Sequence, residues 1–440
     1  MKCAVVGAGI SGLACAFELM EAGLEVTVFE ANHWVGGNIR TQVEDGYVVE
    51  WGPNGFLDNV PETFELVRRI GLADRIQVSA DAARIRFLYR HGRLHRLPEK
   101  PPSFLSSPLL SPLGRARVLL EPLGRSRPPH DETVHAFASR RIGREAAEVL
   151  VQAMVSGVFA GDARNLSLRS TFPKMFAMES DHGSLFRALM AKKKAGGGGG
   201  PSGPAGTLTS IAGGMSELTN RLAQLLGDRV RLGVPVTGVT ADGAGFVMQG
   251  PEERADFVVL SSPAWEAARM VEPLSARASE LLARIPGSPV VVVATVYDEA
   301  AVGGPPEGFG FLAPRGEGLR ILGCLWTSSI YPGTRAPEGK VLLRTMVGGA
   351  LDPDAVELDD ETLLNLVAAD LKTSMGLTAD PERHWVFRHA RGIPQYVPGH
   401  GKRLAEVARE LAAYRNLVLA GNSYRGISVN SVVAEARALA

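Results

Sequence analysis

The stretch that decides the fold is Cys3-Ala4-Val5-Val6, followed at once by Gly7-Ala8-Gly9-Ile10-Ser11-Gly12. The residues before the glycines are apolar, as in a buried strand, and Leu13, Phe17 and Met20 then recur at helical spacing. In such a motif the first glycine permits a tight turn, the second lets the backbone approach a pyrophosphate, and the third lets helix and strand pack closely. The helix N-terminus directs free N–H groups at the phosphates. The stretch therefore predicts the first turn of a dinucleotide-binding βαβ unit.

A second apolar run, Val26-Thr27-Val28-Phe29, ends at Glu30, so that strand, turn, helix, strand and acidic residue follow one another within thirty residues. A carboxylate at this position accepts hydrogen bonds from the ribose diol of a dinucleotide. A lone glycine motif is weak evidence, but here each neighbouring element stands where the binding mechanism requires it. We predict that the dinucleotide contacts Gly7, Ala8, Gly9, Ile10, Ser11, Gly12, Glu30 and Ala31.

The segment after Glu30 favours FAD over NAD as the dinucleotide. Gly36-Gly37-Asn38-Ile39-Arg40 is a second glycine turn with a cation close behind the acidic residue. An NAD fold does not need this turn, whereas a long flavin dinucleotide needs backbone and charge along its second phosphate. We expect Gly37 and Asn38 to contact FAD. Because no cysteine follows Cys324, we expect the flavin to be bound non-covalently.

The overall composition of the 440-residue chain excludes several classes of protein. Lys+Arg and Asp+Glu both total 47, so no net field favours a nucleic acid, and we expect none as a partner. The three cysteines have neither metal-ligand nor disulfide-framework spacing, which indicates a reducing compartment and no metal site. No stretch approaches the roughly 20 apolar residues of a membrane span. We expect a cytoplasmic protein, either a monomer or a homodimer.

The chain has an α/β organisation with mixed α+β parts, because strand and helix patterns alternate in several separate stretches. Strand patterns at Pro289–Val296, Leu319–Leu325 and Val341–Val347 precede one long helical pattern over 360–375. We predict a discontinuous Rossmann-type FAD-binding domain, a sheet-and-helix substrate-binding domain and a helical subdomain. The predicted boundaries are 1–80, 205–265 and 390–440 for the first domain, 81–96 and 266–389 for the second, and 97–204 for the third.

The predicted helical subdomain allows two interpretations. Leu97–Pro129 is rich in proline and leucine, and Lys192-Lys193-Lys194 leads into the glycine run Gly196–Gly200. One interpretation is an ordinary helical subdomain followed by a flexible connector. The other is an apolar, cation-flanked surface that rests on the inner face of a membrane and admits an apolar substrate. The residues alone favour the first interpretation and leave the second open.

Three further segments resemble the flavin amine oxidase superfamily. Gly52-Pro53-Asn54-Gly55 is similar to the superfamily's loop beside the isoalloxazine ring. Leu417–Asn422 resembles the segment that closes over the ribityl chain, although Asn422 stands where many members have Asp. Val236 matches a valine at the adenine end of FAD. This resemblance implies further FAD contacts at Gly52, Pro53, Asn54, Gly55, Val236, Gly421 and Asn422.

Within that superfamily the chain most resembles the oxygen-dependent protoporphyrinogen oxidases. The most diagnostic stretches are Gly157-Val158-Phe159-Ala160-Gly161-Asp162 and Ile393-Pro394-Gln395-Tyr396, and the resemblance runs in order along essentially the whole chain. It implies oxidation of protoporphyrinogen IX to protoporphyrin IX, with O2 as the electron acceptor and H2O2 as its product. FAD carries the redox chemistry in such enzymes while the protein supplies orientation and a dry pocket. We therefore predict no acid–base catalytic residue.

The same resemblance implies roles for individual residues of the substrate pocket. Arg86 matches the arginine that pairs with a substrate propionate, and a planar guanidinium suits a carboxylate because it donates two parallel hydrogen bonds. Gly157 matches a glycine whose backbone lies against the tetrapyrrole. The resemblance also implies apolar wall positions at Phe309, Leu312, Leu325 and Met346. Taken singly, each of them is more typical of an ordinary core, but together with Arg86 they describe a large apolar pocket with one charged anchor.

Several alternatives stay open at the level of sequence. His389 occupies a position near the flavin where some bacterial members have Trp, and Ile427, Ser428 and Val429 match backbone contacts of the flavin pyrimidine ring. The related coproporphyrinogen III oxidases handle two more propionates, and Arg84 could serve that substrate. A flavin amine oxidase is a further alternative, although Tyr424 is the only tyrosine near the closing segment. The last alternative is a flavin-binding protein without catalytic activity.

Overall fold

A computed structural model of the chain describes residues 1–99, 101–124, 131–194 and 206–439. The glycine run 196–200, predicted to be a flexible connector, lies outside the described residues. The strands are β1 (Lys2–Val6), β2 (Glu25–Glu30), β3 (Thr41–Glu44), β4 (Tyr47–Glu50), β5 (Phe56–Leu57), β6 (Ile76–Val78), β7 (Phe87–Arg90), β8 (Arg93–Arg96), β9 (Leu208–Ile211), β10 (Val230–Leu232), β11 (Gly238–Asp242), β12 (Gly245–Gln249), β13 (Glu253–Ala255), β14 (Phe257–Leu260), β15 (Gly287–Asp298), β16 (Gly310–Leu312), β17 (Gly323–Trp326), β18 (Lys340–Gly348), β19 (Arg383–Pro394) and β20 (Leu417–Leu419). The helices are α1 (Ile10–Glu21), α2 (Pro61–Arg69), α3 (Pro101–Ser106), α4 (Pro112–Leu119), α5 (Val134–Ile142), α6 (Arg144–Ala146), α7 (Gln152–Phe159), α8 (Leu168–Thr171), α9 (Pro173–His182), α10 (Leu185–Lys194), α11 (Ser216–Leu226), α12 (Ala264–Val271), α13 (Ala276–Ala283), α14 (Glu299–Val302), α15 (Thr327–Ile330), α16 (Asp360–Met375), α17 (His400–Glu410) and α18 (Val429–Leu439).

A five-stranded parallel sheet forms the nucleotide-binding half, with strand order β10-β2-β1-β14-β20. Its strands are short and apolar because helices cover both faces, as in other all-parallel sheets. Helices α1, α11 and α18 pack on one face, and α12, α13 and α17 pack on the other. The predicted mixed α/β class, with a Rossmann-type core assembled from distant parts of the chain, is confirmed. The division into three domains at the stated boundaries stays a prediction.

A seven-stranded sheet forms the second half, with strand order β19-β15-β18-β17-β16-β7-β8. One of its faces is an ordinary core, in which Phe311, Cys324 and Val293 pack against Leu363 and Val367 of α16. Helix α16 has the predicted bounds. All pairings in the sheet are antiparallel except the one between β16 and β7.

Two details of this sheet differ from the sequence prediction. The strand expected over Leu319–Leu325 begins only at Gly323. The twelve-residue edge strand β19 was not predicted, because its many charged and polar residues conceal the apolar alternation that usually reveals a strand. Charged residues on an edge strand also discourage pairing with other molecules.

The helices α3 to α10 form a cap over one end of the seven-stranded sheet. Leu109, Val149 and Ala153 from this region pack in one cluster with Leu88 of β7. Arg141 is buried in the same region and forms ion pairs with the buried carboxylates Glu121 and Glu179. Among the described residues, no helix combines the length and apolar character required to cross a bilayer.

Candidate functional site

The first glycine turn has the geometry that a bound pyrophosphate requires. Gly7 adopts a positive φ of 104°, which side chains strongly disfavour. A Cβ on Gly12 would overlap the carbonyl oxygen of Gly7, so only glycine lets α1 approach β1 this closely. A Cβ on Gly9 would meet nothing within 4 Å, so the space in front of the helix N-terminus is open. The turn thus offers backbone N–H groups and room to a phosphate.

Glu30 lies at the end of β2, as predicted, and is held in place by backbone donors. The N–H of Ala8 donates to its Oε2 at 2.7 Å, and the N–H of Asn32 donates to its Oε1 at 2.8 Å. Each carboxylate oxygen can accept more than one hydrogen bond. The carboxylate is therefore oriented by the glycine turn itself, and it retains capacity to accept hydrogen bonds from a ribose. Ala31 follows as an exposed residue.

A continuous line of backbone contacts leads from the glycine turn to the second sheet. Gly36 forms a bridge with Gly9, and a Cβ on Gly37 would lie 3.4 Å from the Gly9 Cα. The next residue, Asn38, donates from Nδ2 to the carbonyl oxygen of Gly392 at 3.2 Å. A Cβ on Gly52 would overlap the carbonyl oxygen of Asn38. An extended cofactor can therefore run from the helix N-terminus towards β19.

The loop at 52–55 lies where this line reaches the seven-stranded sheet. Asn54 is buried, and neither atom of its side-chain amide has a hydrogen-bond partner among the described residues. Because a buried amide without partners costs free energy, it indicates a polar ligand at this place. His389 lies beside the loop, with Nε2 3.0 Å from the carbonyl oxygen of Trp51, and burial lowers the pKa of its imidazole. His389 is therefore neutral at physiological pH.

The C-terminal segment closes the site from the opposite side. A Cβ on Gly421 would lie 3.2 Å from the Ser11 hydroxyl oxygen, and the Gly421 N–H donates to Glu435 at 2.8 Å. Tyr396 donates its hydroxyl to the carbonyl oxygen of Asn422 at 2.5 Å. Val429 is the first residue of α18 and is buried, preceded by the half-buried Ile427 and the exposed Ser428. Val236, predicted to contact the adenine end of FAD, does not belong to this segment. It is buried between β10 and β11 and packs in one cluster with Phe29.

The register of the seven-stranded sheet places most of the predicted substrate residues on one face. Leu88 pairs with Leu312, which pairs with Gly323, which in turn pairs with Met346. Paired residues project to the same face, and so do residues two apart along a strand. This face therefore also carries Leu325, Arg344 and His389. Arg86 immediately precedes β7, and the alternation of that strand continued by one residue places it on the same face. We call it the site face. Gly310 and Gly323 add no side chain to it, and a Cβ on either would overlap backbone of the neighbouring strand.

Arg86 is a cation at the edge of the site face. Its guanidinium carbon lies 5.2 Å from the centre of the Phe309 ring, which limits the directions in which the group can turn. Its Nε is buried and has no hydrogen-bond partner among the described residues. Burial lowers the pKa of the guanidinium from its usual value, but an arginine stays protonated near neutral pH. A buried donor of this kind is suited to a carboxylate that enters with a ligand.

The remaining predicted substrate residues are distributed over the site face and the helix α7 that packs on it. Phe309 and Leu325 pack in one apolar cluster with Tyr331, and Met346 packs in another with Ile393. Gly157 of α7 faces Leu312, and a Cβ on it would lie 2.5 Å from the Leu312 Cδ2. Gly157 thus lets α7 approach the site face closely. Its neighbour in the structure is Leu312, itself a predicted wall residue of the substrate pocket.

The two most diagnostic stretches of the sequence are in contact with each other. Gln395 donates from Nε2 to the carbonyl oxygen of Phe159 at 2.8 Å, and Ser288 donates to that of Ala160 at 2.7 Å. Ala160 ends α7 in the left-handed conformation. These hydrogen bonds fix the end of α7 against β15 and β19, beside the site face.

Two side chains at the site escaped the sequence prediction. Arg344 is 2% exposed on the site face and donates to the carbonyl oxygen of Gly52 at 2.8 Å. Glu435 accepts from Gly421, and burial raises the pKa of its carboxyl group. A signal was present for Arg344: charged residues are seldom fully buried unless paired, so an arginine inside the apolar run Val341–Val347 was conspicuous.

Comparison with known proteins gives a consistent result over the whole chain. The model of the family described as flavin-containing amine oxidoreductase matches residues 10–440. The chain is 33% identical to the coproporphyrinogen III oxidase of Bacillus subtilis (strain 168), over 99% of this chain and 96% of that protein. It is 33% identical to the protoporphyrinogen oxidase of Bos taurus, over 98% and 96%. A crystal structure from Exiguobacterium sp. 255-15, assigned provisionally as a protoporphyrinogen oxidase, superposes with a TM-score of 0.85 at 26% identity, over 100% of this chain and 97% of that one.

Proposed function

The chain belongs to the family of flavin-containing amine oxidoreductases, and on that premise we propose that it oxidises protoporphyrinogen IX to protoporphyrin IX, with O2 as the electron acceptor. The substrate loses six electrons and six protons, which three O2 molecules take up to form three H2O2. The relatives named above include oxidases of both protoporphyrinogen and coproporphyrinogen III. This reaction would place the protein in porphyrin and haem synthesis.

The cofactor of this oxidoreductase is FAD, and the residues of the site fit it. The open space at Gly9 suits a pyrophosphate, Glu30 is oriented for a ribose, and the unpartnered amide of Asn54 suits a polar ring edge. When bound, flavin accepts electrons from an organic substrate and passes them to O2. The protein's own part is to orient the substrate and exclude water.

The observation that carries the proposal is a half-buried arginine at the edge of a largely apolar surface. The buried Nε of Arg86 has no partner among the described residues, and Leu312, Leu325 and Met346 lie on the same site face. A porphyrinogen needs this combination, since its macrocycle is apolar and its propionates are anionic. We infer that Arg86 binds one propionate and that the apolar residues of the site face hold the macrocycle.

The distribution of cations favours protoporphyrinogen over coproporphyrinogen. Coproporphyrinogen carries two additional propionates, which would need further cations. The side chain of Arg84 is 72% exposed and lies 3.9 Å from Asp81, so it is directed to solvent. Arg344 lies at the other end of the site face, where it donates to the carbonyl oxygen of Gly52. Among the described residues of the site face, Arg86 is then the one cation suited to a substrate carboxylate.

An amine oxidase is less consistent with the placement of the aromatic residues. Such enzymes usually enclose their substrate amine with aromatic rings close to the flavin. Tyr424, the tyrosine of the closing segment, is buried in the core beneath the five-stranded sheet. Tyr396 is buried too, stacks on His400, and its hydroxyl is bonded to Asn422.

The proposal is tested by porphyrin fluorescence with the purified flavoprotein in air. We expect protoporphyrinogen IX to be oxidised well above its spontaneous rate, with three H2O2 formed per porphyrin, and coproporphyrinogen III to react more slowly. Arg84→Ala is the matched control for Arg86→Ala, because it removes a neighbouring arginine that is directed to solvent. A faster reaction with coproporphyrinogen III would reassign the substrate, and no reaction with either would refute the proposal.

We further propose that the helical cap makes peripheral contact with a membrane on its cytoplasmic side. Leu113 and Leu123 are 84% and 75% exposed, and Leu120 lies between them with 51% exposure. Met190 of α10, 62% exposed, belongs to a helix that packs against the turn at 121–123. Exposed apolar side chains grouped in this way indicate an interaction surface. It would give an apolar porphyrinogen a route into the site from the lipid.

A further inference from the structure

A cluster of three buried charged residues joins the two halves of the molecule. Glu50, at the end of β4, and the arginines Arg335 and Arg344 are each at most 2% exposed. Glu50 accepts hydrogen bonds from the Met215 N–H at 2.8 Å and the Thr41 hydroxyl at 2.7 Å. The Arg335 Nη1 lies 3.6 Å from the Glu50 carboxylate. Two cations and one anion leave the cluster with one uncompensated positive charge.

Arg344 is the arginine of this cluster that forms no ion pair among the described residues. Glu50 lies within a direct ion-pair distance of Arg335 only, whereas Arg344 donates to a neutral carbonyl group, that of Gly52. The Nε of Arg344 is buried without a partner among the described residues. Burial lowers the pKa of Arg344 to about 10, so the guanidinium is still charged at neutral pH. An unpaired buried charge is costly, and such groups persist where a ligand supplies the opposite charge.

The position of Arg344 identifies which ligand can supply that charge. Arg344 pairs with Leu325, which pairs with Gly310. Arg86 immediately precedes β7, and the pairing of Phe311 with Phe87, continued by one residue, places it level with Gly310. The two arginines therefore stand at opposite ends of one row of the site face, roughly 14 Å apart across three strand spacings. Arg86 lies at the substrate end. Arg344 lies at the other end, where the line of contacts from Gly9 arrives at Gly52.

We propose that Arg344 is the counter-charge of the reduced flavin: its guanidinium, uncompensated within the protein, stabilises the negative charge that FAD gains on reduction. A cation close to the flavin ring raises its reduction potential, because charge near the ring tunes its electronics. The interaction is strong because the site is buried and the effective dielectric constant is low. Burial lowers the pKa of His389, the titratable neighbour beside the loop, which favours its uncharged form.

The role of Arg344 concerns the cofactor, and it rests on the proposed function only for its biological purpose. The experiment measures the reduction potential of bound FAD by anaerobic titration against a reference dye, and no porphyrinogen is needed. Arg344→Met removes charge and hydrogen bond, Arg344→Gln keeps a donor for Gly52, and Arg344→Lys keeps the charge. Arg86→Met is the matched control, since it removes an arginine from the same face at the substrate end.

We expect the Met and Gln variants to bind FAD with an equilibrium constant for two-electron reduction at least tenfold below wild type, a shift of about 30 mV. The Lys variant should stay near wild type, and Arg86→Met should leave the potential unchanged. A wild-type potential in the Met or Gln variant would overturn the proposal. So would rescue by Gln but not by Lys, or loss of FAD from the Lys variant, since these outcomes would mean that Arg344 only holds the loop. If the wild-type enzyme oxidised neither porphyrinogen, the potentials would still decide the role of Arg344.

Discussion

The five-stranded sheet meets its ligand with backbone, whereas the seven-stranded sheet meets its ligand with side chains. At the first sheet, Gly7, Gly9 and Gly12 shape a cradle in which a side chain would be an obstacle. At the second, Leu325 and Met346 lie on separate strands of one face, and Arg86 lies at its edge. On the proposed function, the shape and dipoles of one short segment would bind the cofactor's phosphates, and side chains from distant parts of the chain would bind the substrate.

The first prediction separates two glycines of the backbone-built site. Gly12→Ala should abolish FAD binding and destabilise the fold by at least about 3 kcal/mol, because its Cβ would overlap the Gly7 carbonyl and neither backbone can yield. Gly9→Ala should preserve the melting temperature of the apoprotein yet weaken FAD binding, because its Cβ would enter open space needed by the pyrophosphate. Thermal unfolding and flavin titration of both variants test this difference. Equal loss of stability in both would contradict it.

The second prediction concerns the side-chain site. Arg86→Ala should lower kcat/KM for protoporphyrinogen roughly 100-fold, since loss of one partner of a buried charged hydrogen bond costs about 2–5 kcal/mol. The flavin content should stay at the wild-type level, because Arg86 lies at the substrate end of the face. Steady-state kinetics with Arg84→Ala as the control checks the effect. An equal decrease of kcat/KM in both variants would mean that the overall electrostatic field of the protein, and not a specific contact of Arg86, attracts the substrate.

The third prediction tests the close approach of α7 to the site face. Gly157→Ala should lower activity roughly tenfold, since its Cβ would lie 2.5 Å from Leu312 and displace that wall residue. Leu312 can move because it is a side chain and not backbone. The double variant Gly157→Ala with Leu312→Val should therefore recover part of the activity, as residues in contact are not additive. Strictly additive losses would place Gly157 against the substrate itself.

The smallest expected effect lies outside both sheets, on the helical cap. Leu113→Ser with Leu123→Ser should weaken binding to anionic lipid vesicles several-fold, because burying each leucine is worth about 1.5–3 kcal/mol at most and the contact is peripheral. Activity in detergent should be unchanged. Vesicle co-sedimentation measures the change, with Leu351→Ser as the control, since this exposed leucine lies in the substrate half of the chain. Equal vesicle binding by all three proteins would remove the membrane proposal.

The same contrast explains how much of the molecule could be predicted from its sequence. The turn at Gly7–Gly12, the acidic residue Glu30 and helix α16 follow from neighbours along the chain, and each is found where it was expected. The row from Arg86 to Arg344 depends on pairing between strands far apart in sequence. A shift of one residue in register would turn either arginine to the opposite face, and no local pattern specifies that register.

The substrate residues were therefore accessible to sequence reasoning only through resemblance. That reasoning did not anticipate Arg344 or the edge strand β19. It also missed the hydrogen bond from Asn38 to Gly392, which joins residues 354 positions apart. The burial of a charge inside an apolar strand was the available signal for Arg344. Its partner on the loop at Gly52 could not be inferred before the two halves were assembled.

The most direct test of the central proposal is the anaerobic mixing of the yellow flavoprotein with one equivalent of protoporphyrinogen IX, followed by the flavin absorbance. We predict rapid bleaching, slower bleaching with coproporphyrinogen III, and a large loss of rate in Arg86→Ala with unchanged flavin content. Admission of air should restore the yellow colour. Absence of bleaching by either porphyrinogen, with bleaching by a primary amine instead, would contradict the proposal and make the protein an amine oxidase.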